Sequence, residues 1–138
     1  MKKLIYSILL LNLIVFSCTN VDDGMNNISD CPTDIACTEI FVSLTFSPMD
    51  NNNQPITLDS FYAQNLDNGN TYSTENNDFA QENSYIVATD AQIGEINKTG
   101  TNIRFIGLQG DEIVVLQDFM IGHDCCHVVP LNGPFDVQ

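Results

Sequence analysis

The sequence predicts an all-β sandwich of about seven strands, preceded by an export signal and a tether. Short segments alternate apolar and polar residues, as strands with one buried face do. Turn-forming residues recur between these segments, and no segment offers a convincing amphipathic helix. The predicted organisation is residues 1–17 for the signal, 18–30 for the tether and 31–138 for the sandwich.

Alternation is clearest in Glu39–Phe46, where Ile40, Val42, Leu44 and Phe46 fall on one face. Such a pattern predicts a half-buried strand with that face toward the core. The full set of predicted strands is Glu39–Phe46, Ile56–Asn65, Thr71–Thr74, Ser84–Thr89, Asn102–Leu108, Glu112–Ile121 and Cys126–Leu131.

Two turns predict hairpins. Asp67–Asn70 contains Asn and Gly residues that tolerate positive φ, and Gln109–Asp111 joins the two most apolar strands. Asp90–Gly100 is predicted to be irregular because its apolar residues have helical spacing around a glycine. Phe135–Val137 is expected to extend or close the sheet.

The N-terminal residues are predicted to form an export signal. Lys2 and Lys3 precede the apolar run Leu4–Phe16, which is short for a membrane span and typical of a secretory signal. The run ends in Val15–Cys18, which resembles the lipobox of bacterial lipoproteins. The resemblance implies that the chain is cut before Cys18 and that acyl chains such as palmitate anchor this residue. The alternative is an ordinary signal peptide followed by an unrelated cysteine.

The tether, residues 18–30, is polar and acidic, without periodicity, which predicts a flexible spacer. Its Asp22-Asp23 pair resembles sorting signals that direct some lipoproteins to the outer membrane or the cell surface; the alternative is a solvated linker. The expected location is therefore the cell envelope, with the protein lipid-anchored at the outer membrane and facing the periplasm or the outside.

The charge balance limits the possible partners. The chain has 18 acidic and 4 basic residues, and Lys98 and Arg104 are the basic residues that remain after the signal is removed, a balance of −16. Such a protein repels phosphate backbones and anionic headgroups, so nucleic acid is not an expected partner and membrane contact is expected through the lipid. A protein or glycan partner stays open, although the absence of tryptophan weighs against sugar stacking.

The cysteine count predicts two disulfides. Five is an odd number for an exported chain, but lipidation of Cys18 leaves Cys31, Cys37, Cys125 and Cys126, an even set. Adjacent strand residues point to opposite faces, so we expect Cys125 and Cys126 to bond with different partners from the N-terminal pair. The two cross-joined pairings, 31–125 with 37–126 and 31–126 with 37–125, both remain possible.

His123 and His127 flank these cysteines and are expected to be half-exposed. A soft metal held by His123, Cys126 and His127, or by Cys126 with Cys31, Cys37 and one histidine, is the alternative to disulfides. With such a metal site, the protein would be a metal-binding or redox-active exported protein. Disulfides are favoured because the compartment is oxidising, and no cofactor is expected.

Catalytic residues are not evident from the sequence. A cysteine nucleophile would need a free thiolate, and no Gly-x-Ser-x-Gly nucleophile elbow or Ser/His/Asp spacing is found. The expectation is therefore a non-enzymatic module, presented by a membrane-anchored lipoprotein for binding or for a structural role.

Two further resemblances concern the domain. Pro55–Asp59 leading into Asp67–Tyr72 is similar to transthyretin-like and carboxypeptidase-regulatory-like domains. This resemblance implies an Ig-like or transthyretin-like sandwich and nothing about activity. The Cys125–Val128 segment resembles the C-terminal part of an uncharacterised family of small bacterial lipoproteins.

Overall fold

The structure is a computed structural model that describes residues 31–72 and 83–136. The predicted signal, the tether and Cys18 lie outside the described residues, as do residues 73–74 of the third predicted strand. Within the described ranges, no helix combines the length and the apolar character needed to cross a bilayer.

The described chain is nearly all β, as predicted. Its strands are β1 Ser43–Phe46, β2 Ser60–Asn65, β3 Thr71–Tyr72, β4 Tyr85–Thr89, β5 Thr101–Gln109, β6 Glu112–His123 and β7 Val128–Asn132. They form two antiparallel sheets: β1 pairs with β4, and the larger sheet has the order β3-β2-β5-β6-β7. A short 3-10 helix, Asp90–Glu95, follows β4.

Aromatic side chains join the two sheets into one core. Phe105 of β5 is fully buried, and Phe46 of β1 meets it edge-on with ring centroids 5.5 Å apart. Phe46 also contacts Phe119 of β6 at 5.2 Å. Edge-on rings are a favourable arrangement, and each buried phenylalanine contributes about 1.5–3 kcal/mol through its burial. The sheets therefore pack as a sandwich around the inward faces of β1, β4, β5 and β6.

Both predicted hairpin turns are present. Gly69 has φ of 81°, and Asn65 N–H donates to the carbonyl of Asn70 at 2.8 Å, so β2 turns into β3. Gly110, with φ of 57°, and Asp111 connect β5 to β6. These backbone angles favour glycine, which explains why the turns were recognisable in the sequence.

The first predicted strand is shorter than expected. It was predicted over Glu39–Phe46, but β1 begins at Ser43, and Ile40 and Phe41 are 68% and 64% exposed. The reason is a side chain: Val42 N–H donates to the Asp90 carboxylate instead of a strand carbonyl, and regular pairing begins one residue later. The inward prediction for Ile40 was therefore wrong.

Other boundaries also differ. β2 begins at Ser60 and not at Ile56, because amides before it have partners outside the sheet: Ile56 N–H donates to the Pro48 carbonyl at 2.9 Å, and Leu58 N–H donates to the Tyr85 hydroxyl at 2.8 Å. Six residues of the segment predicted to be irregular form the 3-10 helix, which starts with a capping box between Thr89 and Gln92.

At the C-terminal end, β7 begins at Val128 and not at Cys126. Phe135 and Asp136 were expected to extend or close the sheet, but they lie outside regular strands, and residue 137 is outside the described residues. One backbone bond, from Asp136 N–H to the Thr45 carbonyl at 2.9 Å, attaches this segment to β1.

Candidate functional site at the β6–β7 turn

The candidate site is the turn of residues 124–127, which joins β6 to β7. Asp124 organises it: one carboxylate oxygen accepts the backbone N–H groups of Cys126 at 2.9 Å and His127 at 2.8 Å. These hydrogen bonds, that from His127 first, lower the pKa of Asp124. Cys125 has φ of 83°, so the turn presents its two cysteines from a sharply bent backbone.

Two disulfides attach the N-terminal segment to this turn, and the prediction of cross-joining is confirmed. Cys31 bonds to Cys125 with Cα atoms 5.6 Å apart, and Cys37 bonds to Cys126 with Cα atoms 5.3 Å apart. Of the two pairings left open by the sequence, the structure has 31–125 with 37–126. The physical reason differs from the one predicted, because Cys125 and Cys126 lie in the turn and not on a strand.

His123 ends β6 beneath this turn and is 2% exposed, so the prediction that it is half-exposed was wrong. Its Nδ1 atom accepts the Cys125 N–H at 3.0 Å, which places the proton of the neutral ring on Nε2. Burial first, and then Lys98, lower the pKa of His123, although Asp124 opposes the shift. His123 is therefore neutral at neutral pH, and Nε2 has no hydrogen-bond partner among the described residues.

Three residues at this turn have ligand atoms close together, as a metal site would require. Cys31, His123 and Cys125 have ligand atoms within 4.8 Å of one another, but the two sulfurs are bonded to each other in this group. The set considered from the sequence, as the alternative to disulfides, was His123, Cys126 and His127. In the structure Cys126 is disulfide-bonded, and both His127 ring nitrogens have protein partners.

His127 is at the centre of a three-residue hydrogen-bond chain. Its Nε2 atom lies 2.9 Å from the Thr38 hydroxyl, and its Nδ1 atom lies 2.8 Å from the Asp90 carboxylate. The side chains of His127 and Asp90 are 18% and 12% exposed, whereas Thr38 is exposed. The two ring nitrogens therefore connect a surface hydroxyl to a largely buried carboxylate.

Asp90 is held on several sides. Besides His127, its carboxylate accepts the backbone N–H groups of Val42 and Val128, each at 2.8 Å. Burial opposes ionisation of this carboxyl, but these hydrogen bonds outweigh it and leave the pKa of Asp90 below its ordinary value. An ionised carboxylate only accepts, so Nδ1 of His127 carries a proton, and in the neutral ring Nε2 accepts from the Thr38 hydroxyl.

Sequence reasoning did not find Thr38 or Asp90. They lie 89 and 37 residues from His127, and the Cys37–Cys126 bridge brings Thr38 and His127 together because each directly follows a bridged cysteine. The signal in the sequence was the predicted bridge, because the residues that directly follow two bridged cysteines must lie close together in space.

An open groove of about 430 Å³ lies between β1 and β7. Mostly apolar side chains line it, among them Val42, Leu44, Val128 and Phe135. The carboxylate of Asp136, also in the lining, accepts from the hydroxyls of Ser47 and Ser84 at 3.1 Å and 2.5 Å. The groove therefore adjoins Val42 and Val128, the two residues whose amides hold Asp90.

Comparisons of the chain with protein-family models, with curated proteins and with solved structures found no match.

Proposed function

We propose that the protein is an exported lipoprotein, anchored through acylated Cys18 at the outer membrane, that presents the sandwich as a binding or structural module. The observation that carries this proposal is the cysteine arrangement. Four of the five cysteines are bonded to one another, so Cys18 is the cysteine left for a different chemistry. Two disulfides between distant residues also fit an oxidising compartment.

The position of the bridges supports the same proposal. Cys31 follows the proposed tether directly, and its bond to Cys125 attaches the start of the domain to the β6–β7 turn. The bridge therefore fixes the end of the proposed tether covalently to the folded domain. The groove between β1 and β7 is the proposed contact surface, for a protein or glycan partner that its apolar lining and acidic surroundings would select.

Mass spectrometry of the protein extracted from membranes tests the anchor. The mature chain is expected to begin at Cys18 and to carry the mass of a diacylglyceryl group and its acyl chains. Cys18→Ala should abolish that mass and release the protein from the detergent phase, whereas Ser17→Ala, which keeps a small residue before the cysteine, should not. A membrane-associated Cys18→Ala protein with acyl mass would contradict the proposal.

A metal-binding or redox-active role is the second candidate, and the observation that favours it is the buried His123, which has a ring nitrogen within 4.8 Å of both sulfurs of the Cys31–Cys125 bridge. Titration of free thiols separates a structural role of the bridges from a redox role. A purely structural pair of bridges gives no reactive thiol in the native protein at mild dithiol concentrations. Selective opening of Cys31–Cys125 under those conditions would favour the redox role instead.

We also infer that the sandwich is Ig-like or transthyretin-like. The β2–β3 hairpin, which contains the Asp67–Tyr72 part of the resembling stretch, and the five-stranded antiparallel sheet support this finer assignment. An experimental structure that includes residues 73–82 tests it through the complete strand order.

A further inference from the structure

We infer that Thr38, His127 and Asp90 form a hydrolytic site that cleaves carboxylic esters with a small apolar acyl group. This activity goes beyond anchorage and presentation. It departs from the expectation of a non-enzymatic domain, which would hold if no esterase activity depended on Thr38. The inference rests on a hydroxyl, an imidazole and a carboxylate joined in sequence by hydrogen bonds of 2.9 Å and 2.8 Å.

Each member has the position that its role requires. Thr38 is exposed and can meet a substrate, His127 receives the hydroxyl proton on Nε2, and Asp90 fixes the tautomer and stabilises the charged ring. Thr38 and His127 are thus the catalytic residues, and Asp90 is a positioning residue. The same roles in the same order define the Ser-His-Asp arrangement on unrelated folds.

The site is also preorganised. The Cys37–Cys126 bridge joins the residues that precede Thr38 and His127, so nucleophile and base are fixed to one covalent link. Asp90 is held by two backbone amides from different segments, those of Val42 and Val128. Fixed placement of this kind lowers the entropy cost of reaching the transition state.

The surroundings indicate the acyl group. Ile40 and Phe41, two and three residues after Thr38, are 68% and 64% exposed. Both side chains remain mostly exposed in the described domain and follow Thr38 closely in sequence, so they offer an apolar surface for a short aliphatic chain. The acidic surface of the protein disfavours a negatively charged substrate.

The reaction balances without an added oxidant or metal. The Thr38 oxygen bonds to the ester carbonyl carbon while its proton moves to Nε2 of His127; the ester C–O bond then breaks, and the leaving alcohol takes that proton. Water attacks the acyl-threonine, gives a proton to His127 and releases the acid, and Thr38 recovers its proton from the ring.

The test uses the full chain extracted from membranes, with p-nitrophenyl butyrate as substrate. Thr38→Val keeps the shape and removes the hydroxyl, and it should lower kcat/KM by about 100-fold or more. Thr38→Ser should retain activity. Thr33→Val, at another exposed threonine of the same segment, is the matched control and should match the wild type.

Acid quenching during turnover should trap one butyryl group on the peptide that contains Thr38. Asp90→Asn should shift the acid limb of the pH profile of kcat/KM, which a merely structural role would not move, and circular dichroism should show that each variant is folded. Equal rates for wild type and Thr38→Val, or no butyryl group on Thr38, would overturn the inference. Acylation of Cys18 is read separately by mass, so failure here leaves the proposed anchorage untouched.

Discussion

Removal of one disulfide should destabilise the domain by much less than the length of its loop suggests, because the other bridge already closes that loop. The bridges have sequence separations of 94 and 89 residues and meet at adjacent cysteines of one turn. With Cys31–Cys125 intact, Cys37–Cys126 closes only the small ring of residues 31–37 and 125–126.

The chain-entropy relation gives the magnitudes. A lone bridge that closes about 90 residues contributes about 4.6 kcal/mol at 25 °C, whereas a ring of about 9 residues contributes about 2.6 kcal/mol. Either single bridge should therefore cost about 2.6 kcal/mol to remove, and both together about 7 kcal/mol. The total stability of a domain of this size is about 5–15 kcal/mol, so the fully reduced protein should be close to unfolding.

Guanidinium chloride unfolding, followed by far-UV circular dichroism, measures these differences. The variants are Cys37→Ser with Cys126→Ser, and Cys31→Ser with Cys125→Ser as the matched partner. Both should lose about the same free energy of unfolding. A loss near 4.6 kcal/mol in each, adding to about 9 kcal/mol when both bridges are removed, would mean that the bridges act independently and would refute the shared-loop reasoning.

Three further predictions concern the β-sheets. Gly107→Ala should destabilise the domain by about 1–3 kcal/mol in chemical unfolding, because a Cβ there would lie 2.6 Å from Leu58 Cδ1; a neutral effect would contradict this close packing. Burial raises the pKa of Tyr72 to about 12, so the unfolded chain ionises first and stability should fall as pH rises from about 10 to 12; a Tyr72→Phe variant should lose less stability over that range. The Arg104–Asp118 pair, with contacts of 2.6 Å and 2.8 Å, has side chains 37% and 57% exposed, so a double-mutant cycle should give only a small favourable coupling that weakens as salt is added; a coupling unchanged by salt would contradict this.

The fold could be predicted where the determinants are local. The β5–β6 hairpin combines apolar strands with a Gly110 turn of positive φ, and the β2–β3 turn does the same with Gly69. Alternation and turn residues are adjacent in sequence, so a short window contains the whole signal. Cross-joining of the cysteines was also predicted, since only three pairings exist for four cysteines, but the strand geometry used to choose among them does not apply to Cys125 and Cys126, which lie in a turn.

Hydrogen bonds between distant residues determine the features that the sequence did not predict, namely the start of β1 and the burial of His123. Alternation continues through Ile40, but β1 begins at Ser43, because the carboxylate of Asp90 takes the amide of Val42. The burial of His123 could not be predicted either, because its ring is enclosed by a turn whose shape depends on Asp124 and on Cys125 at positive φ.

The Thr38–His127–Asp90 chain shows the same limit at the candidate site. Its members come from three segments, and their distances depend on the bridge between residues 37 and 126. A rule based on residue spacing within one short stretch of sequence cannot identify three residues that are this far apart in the chain. The pairing of cysteines, once known, predicts the Thr38–His127 contact but not the position of Asp90.

The Cys31–Cys125 bridge also determines how the domain responds to mechanical tension. With the proposed membrane anchor at Cys18, a pull from the membrane would enter the described domain at Cys31 and pass through the sulfurs to the β6–β7 turn. The intervening chain, a separation of 94 residues, lies in a covalent loop that tension cannot extend. Reduction of this bridge and of Cys37–Cys126, which closes nearly the same loop, would release up to about 330 Å of extensible chain. A partner held in the groove beside β7 would therefore be connected to the membrane by a path that bypasses most of the fold.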